Sequence, residues 1–350
     1  MMTTGLIGTF AVIGGFLPEP RMMPADKNAS RFANSFFAKD QLLTTYRWVR
    51  SYFFHVFAPT TILGEDGWIY YRSDAIGDGS TISDFMGFNT PSQDSLNKMK
   101  QHLIDRRQHL SEQSIRYLPF VPPNTVTIYP EYLPKEIREA YGRTRLDAVM
   151  DAMQEEILDL RPALLQRKTV ERVYDNSDTH WSDLGAFTAY EVVTQRLIDW
   201  FPSIRPIKRS DLVERHALRN RELQFMFGAP QPTTFLEAPK PFPSRCADTG
   251  EPVLAPGSIR EIKDVNPHPR NWVWLDSECP SRRFIQDNQA LPKAIVFHDS
   301  FFIMLNPYFS QNFRDVLYVL GPFDQSLVLK ERPDVVIDEA TERYLHRLFN

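Results

Sequence analysis

Cysteine is scarce in this 350-residue chain, since only Cys246 and Cys279 occur. The sequence has no Cys-x-x-Cys motif and no histidine cluster, which argues against a structural zinc site. In an oxidising compartment the two thiols would join as one disulfide, and in a reducing compartment they would stay separate. The sequence leaves both alternatives open.

An excess of positive charge is also absent, because 40 lysines and arginines stand against 44 aspartates and glutamates and the net charge is -4. This balance argues against nucleic-acid binding as the main function. Aromatic residues are abundant instead, with 25 Phe and 13 Tyr. Aromatic side chains fill cores more often than they stack on sugars, so their number alone does not predict a carbohydrate site.

A full-length membrane-spanning run is not evident, and the nearest to one is the uncharged stretch from Met1 to Pro18. It is marginally short of the roughly 20 residues that a spanning helix needs, and it lacks a basic start and a small-x-small cleavage site. An uncleaved anchor, a clipped signal peptide and a buried terminal helix all fit it. We favour an anchor over residues 1–20, then a linker and helix over 21–60, which predicts a periplasmic domain attached to the inner membrane.

Residues 61–350 are predicted to form one α/β domain. Asp66-Gly67 lies between two β-rich runs and predicts a hairpin. Residues 205–290 are rich in proline and predict an irregular insertion. Helices are predicted over 92–114, over 135–167 with a break near Arg161-Pro162, after Ser182 and from Glu339. A buried strand followed by a proline-rich turn is predicted in IRYLPFVPPNTVTIYP, and further strands at Thr169–Tyr174, at Lys293–Phe297 and in the VLYVL and DVVID segments. Because strands alternate with helices, we expect a largely parallel sheet flanked by helices.

Ser300 directly follows the apolar strand at Lys293–Phe297 and precedes a helical stretch. Open α/β sheets place their sites at the carboxyl ends of strands, and the N–H groups of a following helix can stabilise an oxyanion. The commoner use of a serine in this position is to cap the helix. Ser300 is therefore a candidate nucleophile that needs a second observation.

Asp178-Thr179-His180-Trp181 supplies that second observation. Residues two apart in an extended loop project to the same side, so Asp178 is predicted to orient His180, which in turn can take a proton from Ser300. A polar turn whose aspartate caps the next helix is the plain alternative. His298, two residues before Ser300, is a second but less favoured partner for the serine.

With these residues in place, the chain resembles the alginate O-acetyltransferase AlgJ/AlgX family, whose domain is SGNH-hydrolase-like. The resemblance covers about residues 60–350 and excludes most of 205–290. The matching segments are GEDGWIYY at Gly64–Tyr71, VPPNTVTIYPEYLP at Val121–Pro134, DTHW at Asp178–Trp181, HDSF at His298–Phe301 and the C-terminal ERPDVVIDEATERYL. Two departures are His298, where the family often has glycine, and Asn124, in a stretch where it often has lysine.

The resemblance implies a Ser300, His180 and Asp178 triad in an SGNH-like fold. It also implies a polysaccharide O-acetyltransferase that receives acetyl groups relayed by a membrane-bound O-acyltransferase, with no metal or tightly bound cofactor. The acceptor would be an exported polysaccharide such as alginate. A carbohydrate esterase with the same triad and an inert polysaccharide-binding scaffold are the alternatives.

Substrate contacts are predicted less sharply. Trp181, next to His180, and Arg219 and Arg221 are the candidates for binding the acceptor. The arginines belong to a wider set that would line a groove for an acidic polymer or, as we favour, form a solvated surface. That set is Arg215, Arg219, Arg221, Arg282 and Arg283.

Overall fold

The structure is a computed structural model that describes residues 60–73, 81–219, 231–237, 260–262 and 281–349. The predicted anchor and linker, both cysteines and Arg221 lie outside the described residues. Within them, no helix is both long enough and apolar enough to cross a bilayer.

A seven-stranded sheet forms the centre of the described fold, with the strand order β4-β3-β11-β9-β10-β8-β7. Strands β4, β3, β11, β9 and β10 are parallel to one another, whereas β8 pairs antiparallel with β10 and β7 pairs antiparallel with β8. The strands are β1 (Thr61–Leu63), β2 (Ile69–Tyr71), β3 (Arg116–Val121), β4 (Leu158–Asp159), β5 (Val213–Arg219), β6 (Gln231–Glu237), β7 (Arg260–Ile262), β8 (Ser281–Ile285), β9 (Lys293–His298), β10 (Asp315–Leu320) and β11 (Val335–Glu339). The predicted α/β class is confirmed, and the sheet is mixed.

Helices flank this sheet. The α-helices are α1 (Ile82–Phe85), α2 (Gln93–Glu112), α3 (Thr125–Ile128), α4 (Lys135–Glu139), α5 (Arg145–Met153), α6 (Arg161–Lys168), α7 (Asp183–Trp200), α8 (Asn306–Phe309) and α9 (Gln325–Glu331). Short 3₁₀ helices cover Glu65–Gly67, Pro130–Tyr132, Arg209–Asp211, Phe302–Leu305 and Glu342–Phe349. The last of these replaces the α-helix predicted from Glu339.

The central strands are apolar because both faces of the sheet are covered. Successive residues of β9 enter opposite cores, with Ala294 and Val296 on one side and Ile295 and Phe297 on the other. All of β11 is buried in the same way. Near-continuous hydrophobic runs of this kind are typical of parallel strands between two helical layers.

The helical stretch predicted over 135–167, with a break near Arg161-Pro162, is divided into more pieces than expected. The segment contains α4, α5, β4 and α6, and Pro162 lies in the first turn of α6. Proline is tolerated there because the first N–H groups of a helix have no intrahelical acceptor. Thr144 starts α5 through a reciprocal capping box with Asp147.

The predicted strand at Thr169–Tyr174 is also wrong, since this stretch contains turns and one isolated bridge between Tyr174 and Trp181. Conversely, part of the predicted insertion is built into the main sheet, where β7 and β8 extend the edge beyond β10. Strands β5 and β6 pair as a separate antiparallel hairpin.

Gly185, in the first turn of α7, packs closely against Val173 and Trp181, which flank the loop that carries His180. A substitution at Gly185 therefore tests this packing. A Cβ at this position would collide with the carbonyl oxygen of Val173 and would lie 2.9 Å from Cβ of Trp181. We expect Gly185→Ala to lower the free energy of unfolding by about 1–3 kcal/mol, measured by urea denaturation. Gln195→Ala, at an exposed position of the same helix, is the control and should cost nothing. Equal stability of both variants would contradict the tight contact.

Candidate active site

Ser300, His180 and Asp178 lie together where β9 ends. The Nε2 atom of His180 is 2.8 Å from Oγ of Ser300, and its Nδ1 atom is 3.0 Å from Oδ1 of Asp178. A carboxylate can only accept, so the proton belongs on Nδ1 and Nε2 is left to accept from the serine hydroxyl. Ser300 is 9% exposed, which leaves a narrow approach to its hydroxyl. The structure thus brings the three predicted residues into one hydrogen-bonded chain.

The loop that carries His180 is closed on itself. Oδ1 of Asp178 also accepts from the backbone N–H of His180 at 3.0 Å, so one side chain fixes both the backbone and the ring. The N–H of Ser182 donates to the Val173 carbonyl at 2.9 Å, and the Ser182 hydroxyl accepts from Gly185 N–H as the cap of α7. His180 is therefore held between a bridged turn and a capped helix.

The β1–β2 hairpin supports the same loop from outside. The N–H of Ile69 donates to the Asn176 carbonyl at 2.7 Å, and the Asn176 side chain donates back to the Gly67 carbonyl at 3.2 Å. Trp68 stacks on Tyr129 with 4.5 Å between ring centroids, and the Tyr129 hydroxyl accepts from Val173 N–H. The sequence predicted the hairpin but not this supporting contact, because nothing local links residues so far apart.

The turn after Ser300 differs from the predicted helix start. It continues as a 3₁₀ helix at Phe302–Leu305 and the four-residue α8, so the chain does not enter a long helix directly after the serine. The expected dipole of a long helix following Ser300 is therefore not available there. Among the described residues, none accepts a hydrogen bond from the Ser300 N–H.

Trp181, the predicted substrate contact, lies in the interior. Its side chain is completely buried, its indole N–H donates to the Phe301 carbonyl at 3.1 Å, and its ring meets the Phe301 ring edge-on at 5.3 Å. A fully buried ring cannot stack on a sugar. Trp181 instead ties the histidine loop to the residue that follows Ser300.

The predicted arginine groove is not supported where the structure describes it. Arg283 donates to the Asp315 carboxylate at 2.8 Å and pairs with Glu331 at 3.1 Å. Its positive charge is therefore balanced by acidic groups of the fold. Arg282 packs over the Phe284 ring. Arg219 ends β5, but its side chain, like Arg221 and the Arg215 side chain, lies outside the described part of the molecule.

His298, the alternative partner for Ser300, is used elsewhere. Its Nδ1 lies 2.7 Å from the Asp299 carbonyl, and its ring packs against Phe302 and Tyr318. Burial lowers the pKa of His298 to about 4, so the ring is neutral near neutral pH. Across the described residues, no group of three or more His, Cys, Asp or Glu side chains is arranged to bind a metal ion.

Comparison with known proteins places this geometry in a family context. Residues 61–248, more than half of the chain, match the family model described as SGNH hydrolase-like domain, acetyltransferase AlgX. That match includes Asp178 and His180 and ends before Ser300. The probable alginate O-acetylase AlgJ of Pseudomonas aeruginosa is 27% identical over 155 residues, which are 41% of this chain and 34% of that protein. The chain thus spans about a third of the relative it matches.

Solved structures show a similar fold. Bacillus cereus PatB1 with a sulfonyl adduct superposes with a TM-score of 0.56 at 16% identity, covering 83% of this chain and 96% of that one. A DHHW family protein from Eubacterium siraeum gives a TM-score of 0.53 at 12% identity, covering 84% and 94%. At these identities the likeness concerns the fold alone.

Trp181→Phe tests whether Trp181 positions the site or binds substrate. Loss of the indole N–H and of ring volume should lower the unfolding free energy by about 2 kcal/mol. For a small ester substrate we expect a several-fold lower kcat with an unchanged KM. Trp200→Phe, at a half-buried tryptophan at the end of α7, is the control. A raised KM with unchanged kcat would restore the substrate-contact hypothesis.

His298→Phe tests the burial of a neutral histidine. The folded-state pKa is about 4 and the ordinary value is 6.5, so between these pH values the unfolded chain binds a proton that the folded chain does not. Stability contributed by this group is therefore present above pH 6.5 and falls by about 3 kcal/mol as the pH drops to 4. Urea unfolding across this range should show a shallower acid loss in His298→Phe. Parallel curves for the two proteins would refute the assignment.

Proposed function

We propose that this chain, which belongs to the AlgX family of SGNH hydrolase-like acetyltransferases, acetylates hydroxyl groups of an exported bacterial polysaccharide through an acyl-enzyme on Ser300. The observation that carries the proposal is the continuous hydrogen-bonded chain from Asp178 through His180 to Ser300, with links of 3.0 and 2.8 Å. A serine hydroxyl is a weak nucleophile near neutral pH unless a base takes its proton, and this arrangement supplies the base.

In the first half-reaction, Ser300 Oγ attacks the carbonyl carbon of a donor acetyl ester while His180 Nε2 takes the hydroxyl proton. The tetrahedral intermediate collapses, the bond to the donor oxygen breaks, and the proton passes from His180 to that leaving oxygen. Asp178 accepts from Nδ1 and stabilises the imidazolium that forms. The product is an acetyl ester on Ser300.

The developing oxyanion needs fixed donors, and the Ser300 N–H is the first candidate because no described residue uses it. A backbone donor attached to the nucleophile itself moves little during the reaction, so it stabilises the charge without reorganisation. Removal of one such donor typically costs about 100-fold or more in kcat in enzymes of this chemistry.

In the second half-reaction, a sugar hydroxyl replaces the donor alcohol. His180 takes its proton, the sugar oxygen attacks the acetyl carbon, and Ser300 Oγ leaves and recovers the proton. The donor would be relayed by a membrane-bound O-acyltransferase, and the domain would work in the periplasm, attached to the inner membrane. The resemblance to an alginate O-acetylase supports a polysaccharide acceptor. The experiment below identifies which polymer is acetylated.

The test incubates the protein with 4-nitrophenyl acetate as pseudo-donor and a panel of exopolysaccharides, and measures ester formation on the polymer by mass spectrometry. Ser300→Ala and His180→Ala should each lower transfer by about 1,000-fold or more, and the double variant should be no worse, because the residues act as one unit. Asp178→Ala should keep more activity, since it orients the base and does not touch the acyl group.

Ser326→Ala, at an exposed serine of α9 whose hydroxyl donates to Asp324, is the matched control and should transfer normally. Acetate release at an equal rate with and without polymer, and no ester on any polymer, would identify an esterase instead. Failure of phenylmethylsulfonyl fluoride to modify Ser300, together with no turnover, would indicate a scaffold.

A further inference from the structure

Asp299, the residue directly before Ser300, is 3% exposed and its carboxylate is fully engaged. Oδ1 accepts from the Phe301 N–H at 2.9 Å and from the Thr341 hydroxyl at 2.8 Å, while Oδ2 accepts from the Thr341 N–H at 2.8 Å. One side chain therefore binds the backbone just after Ser300 and a segment that follows β11. In the sequence, Asp299 appears only as a member of the HDSF segment.

The backbone of Asp299 is held from the same direction. Its N–H donates to Glu339 Oε2 at 2.8 Å, at the end of β11. The β9–β11 ladder ends with the pair Phe297 and Asp338, so these side-chain hydrogen bonds continue the attachment where backbone pairing stops. Asp299 is thus tied to the end of β11 and to the segment after it, and Phe301 is tied to Asp299.

The carboxyl groups of Asp299 and Glu339 differ in charge. Burial raises the pKa of Asp299, but the positive charge of Arg343 and the hydrogen bonds from Phe301 and Thr341 outweigh it, so the pKa is lowered. Burial, together with the Asp299 charge, raises the pKa of Glu339 well above its usual range. Asp299 is therefore the charged member of the pair, and charge-assisted hydrogen bonds are the stronger kind.

Arg343 completes the arrangement. Its side chain is 5% exposed and its guanidinium lies over the Phe301 ring at 5.1 Å. The opposite charge of Arg343 offsets the cost of burying the Asp299 carboxylate beside the serine. Phe301 is consequently fixed at its N–H by Asp299 and at its ring by Arg343.

We propose that Asp299 is a positioning residue for acyl transfer, because its carboxylate sets the backbone on both sides of Ser300 and so aims Oγ at His180 Nε2 and the Ser300 N–H at the oxyanion. This inference rests on the proposed function. Asp299 touches no reacting atom in this scheme. Its contribution is geometric, since a displacement of about 1 Å at a nucleophile can cost about 100-fold in rate.

Asp338 provides a matched control. It is also 3% exposed, adjoins Glu339 in sequence, and pairs with the buried Arg106 at 3.1 Å, but its partners lie on α2 and β3. Asp338→Asn therefore disturbs an equally buried carboxylate whose partners are not the residues next to Ser300. It reports the cost of the substitution to the fold alone.

The experiment compares full-length wild type, Asp299→Asn and Asp338→Asn in melting temperature, in kcat and KM for 4-nitrophenyl acetate, and in the rate of Ser300 modification by phenylmethylsulfonyl fluoride. We expect Asp299→Asn to lower kcat and the modification rate about 100-fold with KM within about twofold. Asp338→Asn should lower the melting temperature and keep kcat within about threefold in the folded protein.

Two variants of Thr341 test the positioning role of Asp299 if Asp299→Asn does not fold. Thr341→Val is isosteric and removes one donor to Asp299, so kcat should fall about tenfold, whereas Thr341→Ser keeps the hydroxyl and should recover most of it. Wild-type rates in Asp299→Asn or in Thr341→Val, or equal losses in Asp299→Asn and Asp338→Asn, would overturn the positioning role. Absence of Ser300 modification in the wild type would instead defeat the proposed function, so the two failures are distinct.

Discussion

The 2.8 Å contact between His180 Nε2 and Ser300 Oγ joins segments 120 positions apart, and neither residue lies in a helix or strand. Loops are free to drift unless other contacts hold them, so the geometry depends on how each loop is anchored. His180 is anchored by the Tyr174–Trp181 bridge, the cap of α7 and the β1–β2 hairpin. Ser300 is anchored by carboxylates that reach across to the end of β11. The contacts that hold His180 and those that hold Ser300 together fix the length of this one hydrogen bond.

Phe301 is where the two supports touch. Its carbonyl accepts from Trp181, its N–H donates to Asp299, and its ring lies 4.9 Å from the His180 ring. Arg343 covers another part of the same ring. Phe301 therefore couples the position of the His180 loop to that of the Ser300 turn. Because protein interiors are close-packed, a displacement of one loop also displaces the other.

The sequence was informative where local pattern and structure coincide. The strand before Ser300 and the Asp178–His180 spacing sufficed to expect the three side chains at one sheet edge, and their catalytic role remains a prediction. Pro162 marked a real break, but proline both breaks and begins helices, so the sequence did not show that β4 precedes it and that α6 begins there. Trp181 was ambiguous, because an aromatic beside a base suits either a sugar or a core. The contacts of Asp299 could not be read from the HDSF segment, since its partner Thr341 lies 42 positions away.

Strand order has a consequence for biosynthesis. Strand β11 is the last strand of the described chain, yet it lies between β3 and β9 in the sheet. On a ribosome, β3 and β9 are both made before the strand that joins them, so the edges that face β11 stay unpaired until it emerges. The anchor of Ser300 also resides beyond β11, in Thr341. A chain that lacks β11 and the segment after it therefore lacks both the strand between β3 and β9 and the Thr341 partner of Asp299.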